Sequence, residues 1–382
     1  MGVLPAFLPS NSAGRRMQHR LVQILSSVLA FGAMSGLAFA ADAPPDVDCR
    51  IPTILTRYPV SGAIGAQWND ATQTLAYGRP RSDGHYAPYV NDAAGTHERP
   101  IRYSAWPLNR HQFPVAWHPG GHYLMVTVEE STHPGSSMSA IPGYGAFSNY
   151  WLVASDGTRA WRMTDQPKDP DHAITHAAFS PDGSRFVWTE RIGAPRLGLN
   201  LLAGSYRFNV SRFVDGETPR LADTRSFIPG GQPQGGEVES IAADNRTIAF
   251  YSTYRSHSLI ASRLYTMDIE SGEIRELTQE SFAQAPRFTP SGRRIVYMTG
   301  AHADAFPFSL QGADWWIMDA DGTRKQQLTF MNERTNSQSE GQFRLAGSLS
   351  FESEDSFFGD VMTKSLGLTG YIVHVQIRRC VD

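Results

Sequence analysis

The sequence predicts an all-β protein, a six-bladed β-propeller of four-stranded antiparallel blades, from a repeated phrase, its spacing and a second phrase. The first phrase reads Phe-Ser-Pro-Asp-Gly at Phe179–Gly183. Its five altered or fainter copies begin at Trp68, Trp117, Ile241, Phe288 and Phe351. Successive copies are therefore 49, 62, 62, 47 and 63 residues apart. Units of about 40 to 50 residues, lengthened here by loops, are typical of propeller blades.

The second phrase is a strand that leads into a turn, often Asp-Gly, and then into a strand that ends in Leu-Thr or a similar pair. Clear copies occupy residues 151–164, 264–278 and 315–329, and weaker copies occupy residues 89–101 and 207–221. Asp-Gly between two runs rich in β-forming residues is a strong hairpin signal. Each unit is therefore predicted to contain two hairpins, which gives the four strands of a blade.

The unit of residues 175–224 shows the order of the elements. Strand A runs into a turn in which Pro181 presets φ and Gly183 accepts the positive φ that the turn needs. Strand B alternates polar and apolar residues, as a half-buried strand does. A longer loop leads to strand C, and a turn at Asp215 and Gly216 leads to strand D.

In such a blade the A–B and C–D turns lie on one face of the ring, and the B–C loops and D-to-A links lie on the other. We call the first the short-turn face and the second the long-loop face. Every long insertion of this sequence falls into a segment assigned to the long-loop face. Because variable loops on a rigid scaffold often carry function, we expect binding on that face.

Composition limits the class of protein. The 382 residues are 41% hydrophobic and 19% charged, with 34 glycines and 24 prolines, which suits a globular all-β chain with many turns. The net charge of −3 argues against a nucleic-acid-binding protein. The sequence has no phosphate-binding glycine motif, no nucleophilic serine motif and no CxxC pair, so we assign no catalytic residue.

The N-terminal region predicts export. Three arginines within residues 15–20 precede an apolar run at residues 21–34, and Ala38–Ala40 supplies a small-x-small cleavage signal. Export could follow the general or the twin-arginine route, and Met1 and Met17 are alternative starts.

The predicted signal peptide defines the domains and the location. We expect residues 1–40 to be the signal peptide and residues 41–382 to be a single propeller domain. The mature protein is then expected to be periplasmic or secreted and monomeric, with no membrane span after the signal is removed.

The sixth unit predicts how the ring closes. It begins near Leu345 and has strands A, B and C, but the chain ends before a strand D. The N-terminal stretch at residues 49–56 resembles a strand D and is expected to supply the missing outer strand. The chain ends would then meet where other blades have a C–D turn. We predict a disulfide between Cys49 and Cys380 at that point, as an exported protein permits.

Histidines and carboxylates are the first candidates for a site. Histidines of different blades can converge on a central channel, and His176 and His257 are the candidate metal ligands. Scattered polar loop residues are the simpler interpretation, so we expect no metal and no other cofactor. Four carboxylates assigned to D-to-A links are interpreted as solvated charges rather than acid–base catalysts. They are Asp169, Asp171, Glu237 and Glu239.

Aromatic residues in predicted long loops are the other candidates. Rigid aromatic side chains on a loop face suit the recognition of a protein or a carbohydrate. The candidates for partner contact are Tyr144, Phe147, Tyr150, Trp151, Phe306 and Phe308. Alternatively, the same loops fold down to plug the channel or to cover neighbouring blades.

The repeat resembles that of the TolB-like propeller family. Phe179–Gly183 and Trp316–Thr329 are the best matches, and the resemblance covers roughly residues 60–375. TolB belongs to the periplasmic Tol–Pal envelope system and also carries an N-terminal α/β domain, for which this sequence has no room before its first blade. The resemblance implies a non-catalytic protein that binds an envelope protein or a glycan at the long-loop face.

The repeat is also similar to that of oligogalacturonate lyases. As a family, these enzymes bind a divalent metal through histidines that face the channel. The segment at residues 251–265, with His257, lies in a comparable blade position. This second resemblance implies an alternative function, that of a metal-dependent polysaccharide lyase.

Overall fold

A computed structural model describes residues 53–130, 140, 142–193, 204–255, 261–280, 282–300, 312–340, 344–363 and 370–378. Within these ranges, 24 strands form six four-stranded antiparallel sheets, which confirms the predicted six-bladed propeller. The described ranges hold one short 3-10 turn, at Pro229–Gly231, and no helix with the length and hydropathy of a membrane span.

The first three blades follow the chain in the predicted order A, B, C, D, after an initial strand β1 (Thr53–Arg57). Blade 1 consists of β2 (Ile64–Asn69), β3 (Thr74–Pro80), β4 (Tyr86–Asn91) and β5 (Arg99–Pro100). Blade 2 consists of β6 (Gln112–Trp117), β7 (Tyr123–Glu129), β8 (Ser148–Ala154) and β9 (Ala160–Arg162). Blade 3 consists of β10 (His172–Phe179), β11 (Arg185–Gly193), β12 (Ser205–Val214) and β13 (Arg220–Phe227).

The remaining blades repeat the pattern, except that the last one takes its outer strand from the other end of the chain. Blade 4 consists of β14 (Gly236–Ile241), β15 (Thr247–Ser252), β16 (Arg263–Asp268) and β17 (Ile274–Glu276). Blade 5 consists of β18 (Ala283–Phe288), β19 (Arg294–Thr299), β20 (Asp314–Asp319) and β21 (Gln326–Gln327). Blade 6 consists of β22 (Leu345–Ser353), β23 (Ser356–Met362), β24 (Gly370–Ile377) and β1.

Tight turns on the short-turn face are held by carboxylates that accept backbone hydrogen bonds. Asp156, Asp182 and Asp321 each accept the N–H of the residue two positions later at 2.9 Å. Gly183 has φ +74°, the left-handed conformation that its turn requires. The repeated Asp-Gly phrase therefore belongs to the scaffold.

The six blades pack into a closed ring around their first strands. Each first strand contacts the first strand of the next blade, and β22 of blade 6 contacts β2 of blade 1. An apolar cluster fills each of the six blade interfaces. Each large side chain buried there stabilises the fold by about 1.5 to 3 kcal/mol. The core is therefore divided among the interfaces between blades.

Strand β1 lies antiparallel to β24 as the outer strand of blade 6. The register sets Thr53 opposite Ile377. The two ends of the propeller are therefore neighbours in one sheet. Cys49 and Cys380 lie outside the described residues, so their disulfide stays a prediction.

Each first strand contains a β-bulge, with one residue more than the facing stretch of its second strand. The bulges occupy residues 65–66, 115, 175–176, 239, 285–286 and 347–348. A bulge bends the strand and changes the direction of its side chains, and bulges are frequent beside binding sites. These six irregularities surround the centre of the ring.

Candidate functional site

A cavity of about 210 Å³ lies among the first strands at the centre of the ring. Bulge residues of four first strands contribute to its wall: Gly65, Val115, Thr175, His176, Gly347 and Ser348. Phe113 lies against β2 and β3, where Gly65 of β2 and Gly78 of β3 leave room for its ring. A Cβ atom on either glycine would lie 2.2 Å from that ring.

The cavity lies towards the long-loop face. Ile64, Phe113 and Ile174, which line it, stand near the beginnings of first strands, where the D-to-A links enter. Pro142, Gly143 and Gly145 of the B–C loop of blade 2 supply another part of the wall. A ligand arriving at the long-loop face would therefore meet this cavity.

His176, Glu237 and Glu239 form a cluster beside the cavity. Nδ1 of His176 lies 2.5 Å from Oε1 of Glu239 and 4.0 Å from Oε2 of Glu237. The hydroxyl of Tyr251 donates a hydrogen bond to Glu237. One nitrogen or oxygen atom from each of the three residues lies within 4.8 Å of the other two. Of the three, His176 is the residue that lines the cavity.

Two local features of the strands assemble this cluster. His176 belongs to the bulge of β10, and Glu239 is the bulge residue of β14. Glu237 stands two positions before Glu239 in β14, and the carboxylates of both lie within 4.0 Å of Nδ1 of His176. Because β10 and β14 are neighbours in the ring, a histidine of blade 3 meets two carboxylates of blade 4.

The cluster stabilises a positive charge on His176. Burial alone lowers the pKa of the imidazole, but the carboxylates of Glu239 and Glu237 outweigh burial and raise the pKa to about 9. The two carboxylates therefore favour the protonated imidazole, whose Nδ1 lies against Oε1 of Glu239.

Arg287 and Asp360 line the same cavity. Both carboxylate oxygens of Asp360 accept the N–H of Gly65 at 2.9 Å. Burial raises the pKa of Asp360 to about 7, although the N–H groups of Gly65 and Ala66 and the charges of His176 and Arg287 lower it. Burial also lowers the pKa of Arg287, against the attraction of Glu239 and Asp360. The cavity thus holds charges of both signs.

Three buried polar atoms of this region have no hydrogen-bond partner among the described residues. They are Oγ1 of Thr175, Oε2 of Glu239 and Nε of Arg287. Buried polar atoms are normally paired, because losing water without a replacement costs about 1 to 3 kcal/mol each. Thr175 and Arg287 line the cavity and Glu239 pairs with His176 beside it, so a ligand in this region could supply the missing partners.

The histidines and carboxylates predicted as site candidates occupy the expected positions only in part. His176 lies at the cavity, whereas His257 lies outside the described residues. Our assignment of Glu237 and Glu239 to a D-to-A link as solvated charges is wrong: both lie in β14, and Glu239 is 1% exposed. Asp169 and Asp171 do precede β10, where Asp169 accepts a hydrogen bond from the backbone of His172.

Two of the predicted partner-binding aromatics are not loop residues. Strand β8 begins at Ser148, earlier than predicted, and includes Tyr150 and Trp151. Tyr150 is fully buried and its hydroxyl donates to the carbonyl of Thr175 at 3.1 Å. Trp151 packs on the apolar cluster between blades 1 and 2. Their aromatic rings therefore stabilise blade interfaces.

The other four predicted partner-binding aromatics are Tyr144, Phe147, Phe306 and Phe308, and the structure describes the first two. Tyr144 is 38% exposed, and Phe147 is half-buried. Phe306 and Phe308 lie outside the described residues. The loop around Tyr144 folds onto the next blade, since Gly145 accepts the N–H of Ile174 at 3.2 Å. This agrees with the alternative in which the loop covers its neighbour.

Sequence reasoning missed Arg287, Asp360 and Thr175. A usable signal existed for the first two, because each is the single charge in a largely apolar strand segment, residues 283–288 and 356–362. A charge in a buried strand is rarely solvated and points to a site. For Thr175 the sequence has no such signal.

Comparisons with known proteins establish the fold. No family model and no curated protein match the chain. A TolB candidate from Agrobacterium tumefaciens has 15% identity and a TM-score of 0.50, over 87% of this chain and 99% of that one. TolB from Acinetobacter baumannii has 14% identity and a TM-score of 0.48, over 81% of this chain and 66% of that one. One prolyl endopeptidase structure has 11% identity and a TM-score of 0.48, over 86% of this chain and 43% of that one.

The chain has a TolB-like propeller fold. Its similarity to the Agrobacterium structure supports this, and the described strands close a six-bladed ring. At 15% identity the similarity concerns the fold, and one propeller fold serves unrelated functions. The chain also spans 66% of the Acinetobacter TolB, slightly less than two thirds.

Proposed function

We propose that this TolB-like propeller is an exported, non-catalytic binding protein of the cell envelope. An envelope protein or a glycan would dock on the long-loop face and insert a polar group into the central cavity. The observation that carries the proposal is the cavity itself, with its charges of both signs and its unpartnered Thr175 and Arg287 atoms. Ligand sites are concave and use a few well-placed polar groups of this kind.

The wall of the cavity indicates the chemistry of the inserted group. The guanidinium of Arg287 suits a carboxylate, which it can bind with two parallel hydrogen bonds. Phe113 and Met362 offer apolar contact beside it. An acidic side chain of a protein and an acidic sugar of a glycan each combine a carboxylate with neighbouring carbon atoms that can make apolar contact.

Photo-crosslinking tests the docking face. A crosslinking residue at Tyr144, exposed on the long-loop face, is expected to capture a defined partner in cells that export the protein. The same residue at Ser271, exposed on the short-turn face, is the matched control and should give no adduct. Mass spectrometry of the adduct distinguishes a protein from a glycan. Identical adducts from both positions, or none from Tyr144, would contradict the proposal.

The second resemblance also has an observation in its favour. His176, Glu237 and Glu239 are residue types that bind a divalent metal, and a polysaccharide lyase of the oligogalacturonate type would need such an ion. A lyase forms an unsaturated sugar end that absorbs ultraviolet light. Appearance of this absorbance with acidic oligosaccharides, and its loss in His176→Gln, would favour the enzyme over the binding protein.

A further inference from the structure

We infer that His176, Glu237 and Glu239 form a binding site for one divalent transition-metal ion, of which Zn²⁺ is the best fit. The three side chains offer one imidazole nitrogen and two carboxylate oxygens within 4.8 Å of one another. Ligands of a tetrahedral zinc ion with bonds of about 2.1 Å lie about 3.4 Å apart. The inference does not depend on the proposed binding of an envelope partner.

The positions of the three groups require small movements to bind an ion. The separation of 2.5 Å between Nδ1 of His176 and Oε1 of Glu239 must widen, and the separation of 4.0 Å to Glu237 must shorten. Both changes are within the reach of side-chain torsions. The proton that Nδ1 donates to Glu239 must also leave for solvent, because a histidine ligand binds the ion through an unprotonated nitrogen. The three strand positions are set by β10 and β14, which are neighbours in the rigid ring.

A second observation points to a ligand at this place. Oε2 of Glu239 has no hydrogen-bond partner among the described residues, and Glu239 is 1% exposed. Thr175, which is 7% exposed, carries another unpartnered oxygen next to His176 in the cavity wall. A metal ion would bind this unpartnered oxygen directly and would replace the proton of His176 as the positive charge beside Glu239.

The surroundings resemble the outer shell of a metal site. The Tyr251 hydroxyl donates to Glu237 and fixes the orientation of that carboxylate. His176 lines the cavity, so a water or a ligand atom could complete the coordination from that side. One imidazole with two carboxylates suits Zn²⁺ or Mn²⁺, whereas Ca²⁺ prefers oxygen ligands alone.

Metal analysis of the full exported protein tests the site. After dialysis against a chelator and titration with Zn²⁺, the wild type is expected to bind about one equivalent and to unfold at a higher temperature. Glu239→Gln keeps the shape but removes the charge, and is expected to weaken Zn²⁺ binding about tenfold or more. His176→Gln provides a second variant should Glu239→Gln fold poorly.

The matched control is Glu352→Gln. Glu352 also pairs with a histidine, His374, at 2.8 Å, but it lies in another blade and outside the described metal cluster. This variant is expected to keep full Zn²⁺ binding and the full thermal shift. Binding of less than about a tenth of an equivalent by the wild type would overturn the inference. Stoichiometric binding that survives both Glu239→Gln and His176→Gln would overturn it as well.

Discussion

Asp360 shows at the scale of one residue how burial changes the pKa of a carboxyl group in the cavity wall. Its carboxylate is 7% exposed and accepts two hydrogen bonds from the N–H of Gly65, yet burial raises its pKa to about 7. His176 and Arg287 face it across the cavity and only partly compensate for the lost water. The neutral form of Asp360 therefore fits the folded state better than the ionised form.

This pKa predicts a pH-dependent stability. A raised pKa of an acid means that its stabilising contribution is complete below the unfolded value near 4 and is lost as pH rises through about 7. Asp360→Asn keeps an acceptor for the Gly65 N–H without the charge. We expect the variant to exceed wild-type stability at pH 8 by about 1 to 3 kcal/mol, and by little at pH 4.

Urea unfolding at both pH values, in the presence of a chelator, measures the difference. Asp156→Asn is the control with the opposite sign, because hydrogen bonds from Thr158 lower the pKa of this exposed turn residue. A stability difference between Asp360→Asn and wild type that stays constant from pH 4 to pH 8 would contradict the expectation.

At the scale of the element, the first strand of each blade has two tasks. Its apolar residues pack into the interface with the next blade, and its bulge turns neighbouring residues towards the cavity. His176 illustrates the second task, because it is both a bulge residue of β10 and part of the cavity wall. Bulges therefore let one strand serve the core and the site.

Strand β1 offers a direct test at this scale. The N–H of Tyr58 donates to the carbonyl of Ile372 at 2.9 Å, and alternation along the strand directs the N–H of Thr56 towards β24 as well. Thr56→Pro removes this donor and is expected to lower the free energy of unfolding by about 3 kcal/mol.

The matched control for this strand is Thr56→Ala. It shortens an exposed side chain but keeps the N–H, so a loss of only about 0.5 kcal/mol is expected. Equal stability of both variants in urea unfolding would mean that β1 contributes no hydrogen bond to blade 6.

At the scale of the whole molecule, the stability of the ring depends on the pairing of β1 with β24. Blade 6 is built from both ends of the chain, so separating β1 from β24 exposes the cluster shared with blade 5, on which Leu55 packs. Thr53 lies opposite Ile377. In the sequence, Cys49 comes four residues before Thr53, and Cys380 comes three residues after Ile377. This placement favours the predicted disulfide.

The disulfide predicts how the exported protein behaves on reduction. Closing a loop of this length would stabilise the fold by roughly 4 to 6 kcal/mol on the entropic model. Peptide mapping without reductant is expected to yield the Cys49–Cys380 pair, and Cys49→Ser with Cys380→Ser is expected to unfold at lower denaturant. Two free thiols in the native exported protein would contradict the prediction.

The sequence by itself determined the fold class, the number of blades, the short-turn face and the neighbourhood of the two chain ends. These properties depend on local turn chemistry and on a period that repeats along the chain, as the Asp182 turn shows. It did not determine that Tyr150 enters the core. Strand β8 begins at Ser148, directly after residues 141–147, whose glycines and proline are typical of a loop.

Only the tertiary structure decided the site. His176 and Glu239 are 63 residues apart, and Arg287 and Asp360 come from two further blades. Ring closure and the bulges bring them together, and neither leaves a local pattern in the sequence. The physical reason is that a propeller repeats its scaffold locally but builds its centre from the meeting of six first strands, so the charges that face the cavity are set by contacts distant in sequence.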